Sequence, residues 1–260
     1  MASRMGRVRW RSGSRRPVVV NNMTNVLEVR GLSKSFGAIT VANKVSFDVV
    51  EGEILGIIGP NGAGKTTLFG MLAGQVQPSS GQVLFRGEDI TALPPHDRAR
   101  RGIARTYQVP RPFGQMTVFD NLRVAANFAG GLHGPDAAEW IERTLAATGL
   151  TRYAETPAGR LPLLVRKRHE LARALAMRPK LVLIDEVAAG LTEQEVEEFI
   201  ALVRRVRDMG ITVVWIEHVI RTMLAATDRL MALAGGEVLA LGIPTHVMGL
   251  PEVKRVYLGS

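Results

Sequence analysis

An α/β fold is predicted for this chain: a mostly parallel sheet covered by helices, with a helical insertion in its middle. Three observations carry the prediction. Continuously apolar runs of strand length alternate with stretches of helical period. A glycine-rich turn, "GPNGAGK", stands between one such run and a helix. From about residue 110 to 165 the texture turns helical, and strand–helix alternation then returns.

The elements follow in order. "NVLEVRGLSKSFG" alternates as a half-buried strand, and "VSFDVVEGEILGIIG" becomes continuously apolar as a buried strand does. "KTTLFGMLAG" reads as a helix with Gly74 at its end. "GQVLFRG" is a strand, and "GIARTYQ" reaches Gln108 as another. In the helical stretch, Thr117 and Asp120 of "TVFDNL" resemble a capping box. "PDAAEWIERTLAATG" is amphipathic, with Pro135 before it and Gly149 after. "KLVLID" is a buried strand. "TEQEVEEFIALVRRVRDMG" is a helix capped by Thr192 and Glu195, with its apolar stripe at Val196, Phe199, Ile200, Val203 and Val206. "ITVVWIEH" is a strand, and "RLMALAGGEVLALG" a hairpin around Gly235-Gly236.

Composition narrows the classes. The 260 residues are 46% apolar and 22% charged, enough for a sizeable core. No apolar run approaches the ~18–20 residues that cross a bilayer. With no cysteine, disulfides and thiolate metal sites are excluded, in keeping with a reducing compartment. Six arginines, Arg4, Arg7, Arg9, Arg11, Arg15 and Arg16, lie in the first 22 residues, which hold no acid; the net charge of +9 falls to +3 without them. Residues 1–23 are therefore expected to form a disordered basic arm, or to precede a true start at Met23. Arg15-Arg16 resemble a twin-arginine signal, but only Val18-Val19-Val20 follow, far short of an export segment.

"GIIGPNGAGKTT" fits G-x-x-x-x-G-K-[ST]. Its glycines let successive backbone N–H groups turn inward around a phosphate, and the next helix adds its positive end. The candidate phosphate segment runs Gly59, Pro60, Asn61, Gly62, Ala63, Gly64, Lys65, Thr66 and Thr67. Lys65 reaches β- and γ-phosphates, and the Thr66 hydroxyl is suited to Mg²⁺. Asp185 ends a buried strand, where an aspartate can hold Mg²⁺ through its water shell, and Glu186 can orient or deprotonate a water. Taken alone, such a pair equally caps the next helix. His218 and Gln108 also end strands, where ligands bind in doubly wound sheets. Phe36 reads on residue type as core, or else as a stacking platform for a base.

In this order the residues resemble the ATP-binding subunit of ABC transporters, over about residues 24–259. The likeness is greatest to branched-chain (hydrophobic) amino acid importers, through "GPNGAGKTTLF", "RGIARTYQVPRPFGQMTVFDNL", "ELARALAMRPKLVLIDE", "AAGL", "IEH" and "VYLG". The resemblance implies a P-loop NTPase fold over 24–260: a mostly parallel core sheet, an antiparallel β subdomain and a helical subdomain at about 110–165. It implies ATP and Mg²⁺ as cofactors, Phe36 stacking on adenine, and Gln108 linking Mg²⁺ to a membrane partner. It makes Glu186 the general base and His218 the switch histidine. It further implies transmembrane permease subunits, a substrate-binding protein acting indirectly, and a second ATPase subunit, in a heterodimer or a homodimer. Such a subunit would be cytoplasmic and peripheral on the inner face of the membrane.

One motif departs from the family. "LPLLV" at 161–165 occupies the place of L-S-x-G-Q, whose serine and glycine grip the γ-phosphate of the facing subunit. Pro162 has no hydroxyl, Leu164 adds a side chain where glycine allows close approach, and Val165 replaces the amide. Arg166, Lys167 and Arg168 are candidates to substitute as charge. Val187 and Thr192-Glu193 depart more mildly from the usual prolines.

Other classes compete. An ABC ATPase acting on DNA needs a long coiled coil between the phosphate loop and the acid pair, yet only 120 residues separate Lys65 from Asp185, without heptads. Ribosome-directed relatives carry two such domains. A low-turnover nucleotide switch is raised by "LPLLV", against which stand Lys65, Asp185, Glu186 and His218. Nucleic acid is not an expected partner.

Overall fold

The computed structural model describes residues 24–258; the basic arm expected over 1–23 lies outside the described residues. In chain order come β1 (Asn25–Phe36), β2 (Ile39–Val50), β3 (Ile54–Ile58), α1 (Lys65–Leu72), β4 (Ser80–Phe85), β5 (Glu88–Asp89), α2 (Pro95–Arg101) and β6 (Ile103–Arg105). There follow α3 (Val118–Phe128), α4 (Gly134–Thr148), α5 (Leu163–Ala176), β7 (Leu181–Asp185), α6 (Glu193–Asp208) and β8 (Thr212–Ile216). The chain then forms α7 (Ile220–Ala226), β9 (Arg229–Ala234), β10 (Glu237–Gly242), α8 (Pro244–Gly249) and α9 (Pro251–Leu258).

Two sheets result. One is four-stranded and antiparallel, ordered β2-β1-β4-β5. The other is six-stranded, ordered β10-β9-β3-β8-β7-β6, and parallel except where β9 and β10 form the hairpin turned by Gly235 (φ 56°) and Gly236 (φ 80°). The central strands read as unbroken apolar runs because neither face meets water. Leu55 and Ile57 of β3, Leu183 of β7 and Val214 of β8 face the four-stranded sheet and α1. Ile54, Ile58, Ile184 and Trp215 face the opposite way, onto α5, α6 and α7. Helices α3, α4 and the buried stripe of α5 make a third layer with its own core, including Val118, Leu122, Ile141, Leu145, Val165 and Ala172.

Several sequence expectations are corrected. "VSFDVVEGEILGIIG" is two strands in different sheets, broken by a turn in which Gly52 has φ 81°. The "GIARTYQ" strand stops at Arg105, three residues short of Gln108. Helix does not begin at 110: Pro110 and Pro112 each disfavour helical backbone at the residue before them, and α3 begins at Val118. At the other boundary α5 runs through 165 to Ala176, joining the helical layer to the sheet. Pro135 lies inside the first turn of α4 rather than before it. The Thr117–Asp120 box is half formed: Thr117 accepts from the Asp120 amide, while the Asp120 carboxylate pairs with Arg123 at 2.7 Å. Aspartate is one methylene shorter than the glutamate that reaches back in a full box. The Thr192–Glu195 box is complete.

Candidate nucleotide-binding site

The phosphate segment joins β3 to α1. Gly59 is buried, and a Cβ there would overlap the Leu233 carbonyl oxygen; one at Gly64 (φ 95°) would overlap the Val41 carbonyl oxygen. Glycine is therefore required twice, once for packing under β9 and once for backbone conformation against β2. Pro60, Asn61, Gly62 and Ala63 form the loop between them, with Asn61 and Gly62 exposed and Ala63 buried. Helix α1 has neither an acid in its first turn nor a side-chain cap, so its leading N–H groups are open to an anion. Thr66 is exposed and Thr67 half-buried there.

Lys65 folds back over this loop. Its Nζ donates to the carbonyls of Gly59 at 2.8 Å and Pro60 at 3.1 Å. Burial pushes the ammonium below the usual lysine range, and the charges of Glu186 and Asp185 pull it back up. A phosphate entering the loop would exchange these two carbonyls for stronger, charged acceptors.

The acids at the end of β7 are held differently. Asp185 pairs with Arg105 at 2.8 Å, both side chains being about nine-tenths buried. Glu186 has φ 42°, a left-handed conformation rare for a non-glycine residue. Its Oε2 accepts from Gln108 Nε2 at 2.6 Å, and its Oε1 lies 2.5 Å from His218 Nε2. Gln108, Glu186 and His218, far apart in sequence, are thus brought together.

Phe36 corrects the reading from residue type. It is 53% exposed at the end of β1, with Lys34 Nζ 4.9 Å from its ring centroid. It pairs across the hairpin with exposed Ile39, two residues before Val41 on the phosphate loop. A ring so placed can stack on a base entering beside that loop. Ile39 was not singled out from sequence, although "FGAI" puts an apolar residue on the same turn.

"LPLLV" is partly core. Val165 packs into the helical layer, Leu164 lies half-buried against the large sheet, and Leu163, the first residue of α5, is 44% exposed. Pro162 caps α5 with no side-chain hydrogen bond. The three following cations all have partners within this chain. Arg166 donates to the carbonyls of Gly159 and Leu161, Arg168 pairs with Glu198, and Lys167 donates to those of Val187 and Ala189.

Arg105 was missed. It touches Asp185, donates to Gln75 Oε1 at 2.6 Å, and faces the Tyr107 ring at 5.5 Å. Its signal was a cation closing an apolar strand that pairs with the acid-bearing one.

For Mg²⁺ the donors on hand are the Thr66 hydroxyl, the Asp185 carboxylate and the Gln108 amide oxygen. These are hard oxygen ligands, and too few for an all-protein cage, which suits an ion that keeps water and phosphate in its shell. Among the described residues no cluster of three His, Cys, Asp or Glu forms a closed metal site.

Comparison with known proteins identifies the family. The family described as "ABC transporter" matches residues 42–189. The high-affinity branched-chain amino acid transport ATP-binding protein BraF of Pseudomonas aeruginosa is 37% identical over 250 residues, covering 90% of this chain and 98% of BraF. The lipopolysaccharide export system ATP-binding protein LptB of Acidithiobacillus ferridurans is 39% identical over 238 residues, covering 92% of this chain and 98% of LptB. The crystal structure of MJ1267, an ATP-binding cassette of an ABC transporter in its ADP conformation, superposes with a TM-score of 0.84 at 29% identity, covering 91% of this chain and 99% of that one. The likeness runs nearly end to end on both sides, so the chain belongs to the ABC transporter family, as an ATP-binding subunit that hydrolyses ATP.

Proposed function

We propose that this chain drives an importer of branched-chain or other hydrophobic amino acids, through separate permease subunits and in concert with a substrate-binding protein. The observation that carries the catalytic half is Glu186 fixed between Gln108 and His218, beside Lys65. ATP enters with adenine on Phe36 and its phosphates in the Gly59–Thr67 loop. Lys65 and the α1 N-terminus stabilise charge on the transferring phosphoryl group. Mg²⁺, held at Thr66, Asp185 and Gln108, would supply further charge neutralisation there. Glu186 orients an attacking water and takes its proton, and His218 fixes the Glu186 carboxylate.

Membrane coupling rests on the surface next to Gln108. A cleft of about 420 Å³ between the large sheet and the helical layer is lined by Gln75, Arg105, Tyr107, Phe128 and Arg173. Phe128, at its edge, is 74% exposed. Val109 and Phe113, in the segment after Gln108, are also exposed. This is where a permease segment would dock, holding a chain without any helix, among the described residues, that is long and apolar enough to cross a membrane. The subunit would then sit peripherally on the cytoplasmic face. The mixed character of "LPLLV" favours a heterodimer with a second ATPase bearing an intact signature.

Similarity to LptB supports a second reading, an export ATPase. Proteoliposomes holding the assembled complex distinguish them. ATP-dependent uptake of leucine with a binding protein present supports import; outward transfer of a lipid substrate with no amino acid uptake overturns it.

A further inference from the structure

Behind Glu186 the chain runs Val187, Ala188, Ala189, Gly190, Leu191 and Thr192 before entering α6. The peptide linking Val187 to Ala188 is gripped at both ends. Its oxygen accepts from Lys167 Nζ, which also donates to the Ala189 carbonyl at 2.6 Å. Its N–H donates to Glu217 Oε1 at 2.6 Å, and the other Glu217 oxygen accepts the backbone N–H of His218 at 3.0 Å. The cation faces the negative end of this peptide dipole and the anion its positive end, so both charges hold one orientation. Lys167 is 6% exposed and Glu217 2%. Side chains of that charge stay buried only when paired or hydrogen-bonded, and Lys167 is committed here to backbone carbonyls.

Two consequences follow from where the partners lie. Glu186 holds a left-handed backbone, which persists only when its surroundings over-determine it, and the clamped peptide is the second one after it. Lys167 lies one turn after Leu163 on α5, and a Leu163 methyl lies 3.2 Å from where a Gly190 Cβ would be. The helix that begins at "LPLLV" therefore bears on this loop at two points.

Building on Glu186 as the base, we infer that Lys167, with Glu217 opposite, is a positioning residue that sets Glu186 and His218 and links the α5 start to this chain's own ATP site. A displacement of α5 by a facing subunit is carried through the Val187–Ala188 peptide to the base.

The test uses the full chain assembled with its cognate subunits, comparing Lys167→Met, Lys167→Arg and Glu186→Gln. Lys167→Met should lower kcat by roughly ten- to a hundredfold, as expected for a misplaced catalytic group, with the KM for ATP within about twofold. Lys167→Arg should recover most of the rate. On the Glu186→Gln background Lys167→Met should add less than about a twofold loss, because both act through one group. If Lys167→Met does not fold, Lys167→Gln, which keeps a neutral donor, takes its place with the same expectation. A merely structural lysine would lower the melting temperature and leave kcat unchanged; that result, or a fully multiplicative loss in the double variant, overturns the inference. Failure of the underlying reading looks different, since Glu186→Gln alone would then hydrolyse ATP at the wild-type rate.

Discussion

His218 Nε2 lies 2.5 Å from Glu186 Oε1, and Gln108 holds the other oxygen of the same carboxylate. Glu186 is thus restrained from two sides while remaining near Lys65. Glu186→Gln keeps the shape and both neighbours but removes the base. Hydrolysis by the site containing this phosphate loop should fall by ~10²–10⁴, with ATP binding retained. Single-turnover hydrolysis and equilibrium binding of a labelled nucleotide separate the two quantities.

Lys65→Ala should abolish ATP-dependent uptake by the assembled transporter. Its ammonium is already inside the loop, on the Gly59 and Pro60 carbonyls, where it would turn to the γ-phosphate. Transport assays in proteoliposomes check this directly, and unchanged uptake would contradict the transporter reading.

The "LPLLV" segment predicts unequal sites. The chain paired with itself should be a poor ATPase, while an equimolar mixture with a partner carrying an intact signature should hydrolyse ATP at the site built from Lys65 and Glu186. Pro162→Ser with Leu164→Gly should raise turnover by the chain alone. Adding Val165→Gln should lower the melting temperature, because Val165 is core in the helical layer and an unpaired buried amide costs about 1–3 kcal/mol. Robust turnover by the unmodified chain alone, without gain in the variants, would show that the phosphate is gripped by other groups.

His169 on α5 predicts an acid-sensitive stability. It is fully buried, and among the described residues neither ring nitrogen has a hydrogen-bond partner. Burial first, and the Arg173 charge second, push its pKa down to about 4. The unfolded chain therefore takes up this proton before the folded one does. Stability from this group is full above about pH 6.5, the unfolded value, and falls by roughly 3 kcal/mol as the pH drops to the folded value. His169→Leu should flatten that slope. Urea unfolding above and within this window, on both proteins, measures it.

Much of this was legible in the residues. The phosphate loop, the "KLVLID" strand and the Thr192 cap each depend on short-range spacing, and all stand where the sequence puts them. The end of the strand before Gln108 was misplaced because Thr106 still donates its N–H to Leu183 although regular pairing has ceased. Phe36 was ambiguous because an apolar side chain looks the same whether it packs inward or awaits a base. The partners of Arg105 and Lys167 were beyond reach, since each contact joins elements brought together only by the crossovers of the large sheet.

The left-handed backbone at Glu186 sets stability against activity at a single position. Glycine would adopt φ 42° without strain, relieving on the order of 1 kcal/mol. A library of this protein sorted only for heat resistance would therefore enrich glycine at 186 and discard the carboxylate. Thermal selection of this chain must be run with turnover as a second criterion, or it will harvest sturdy proteins that bind ATP and leave it intact.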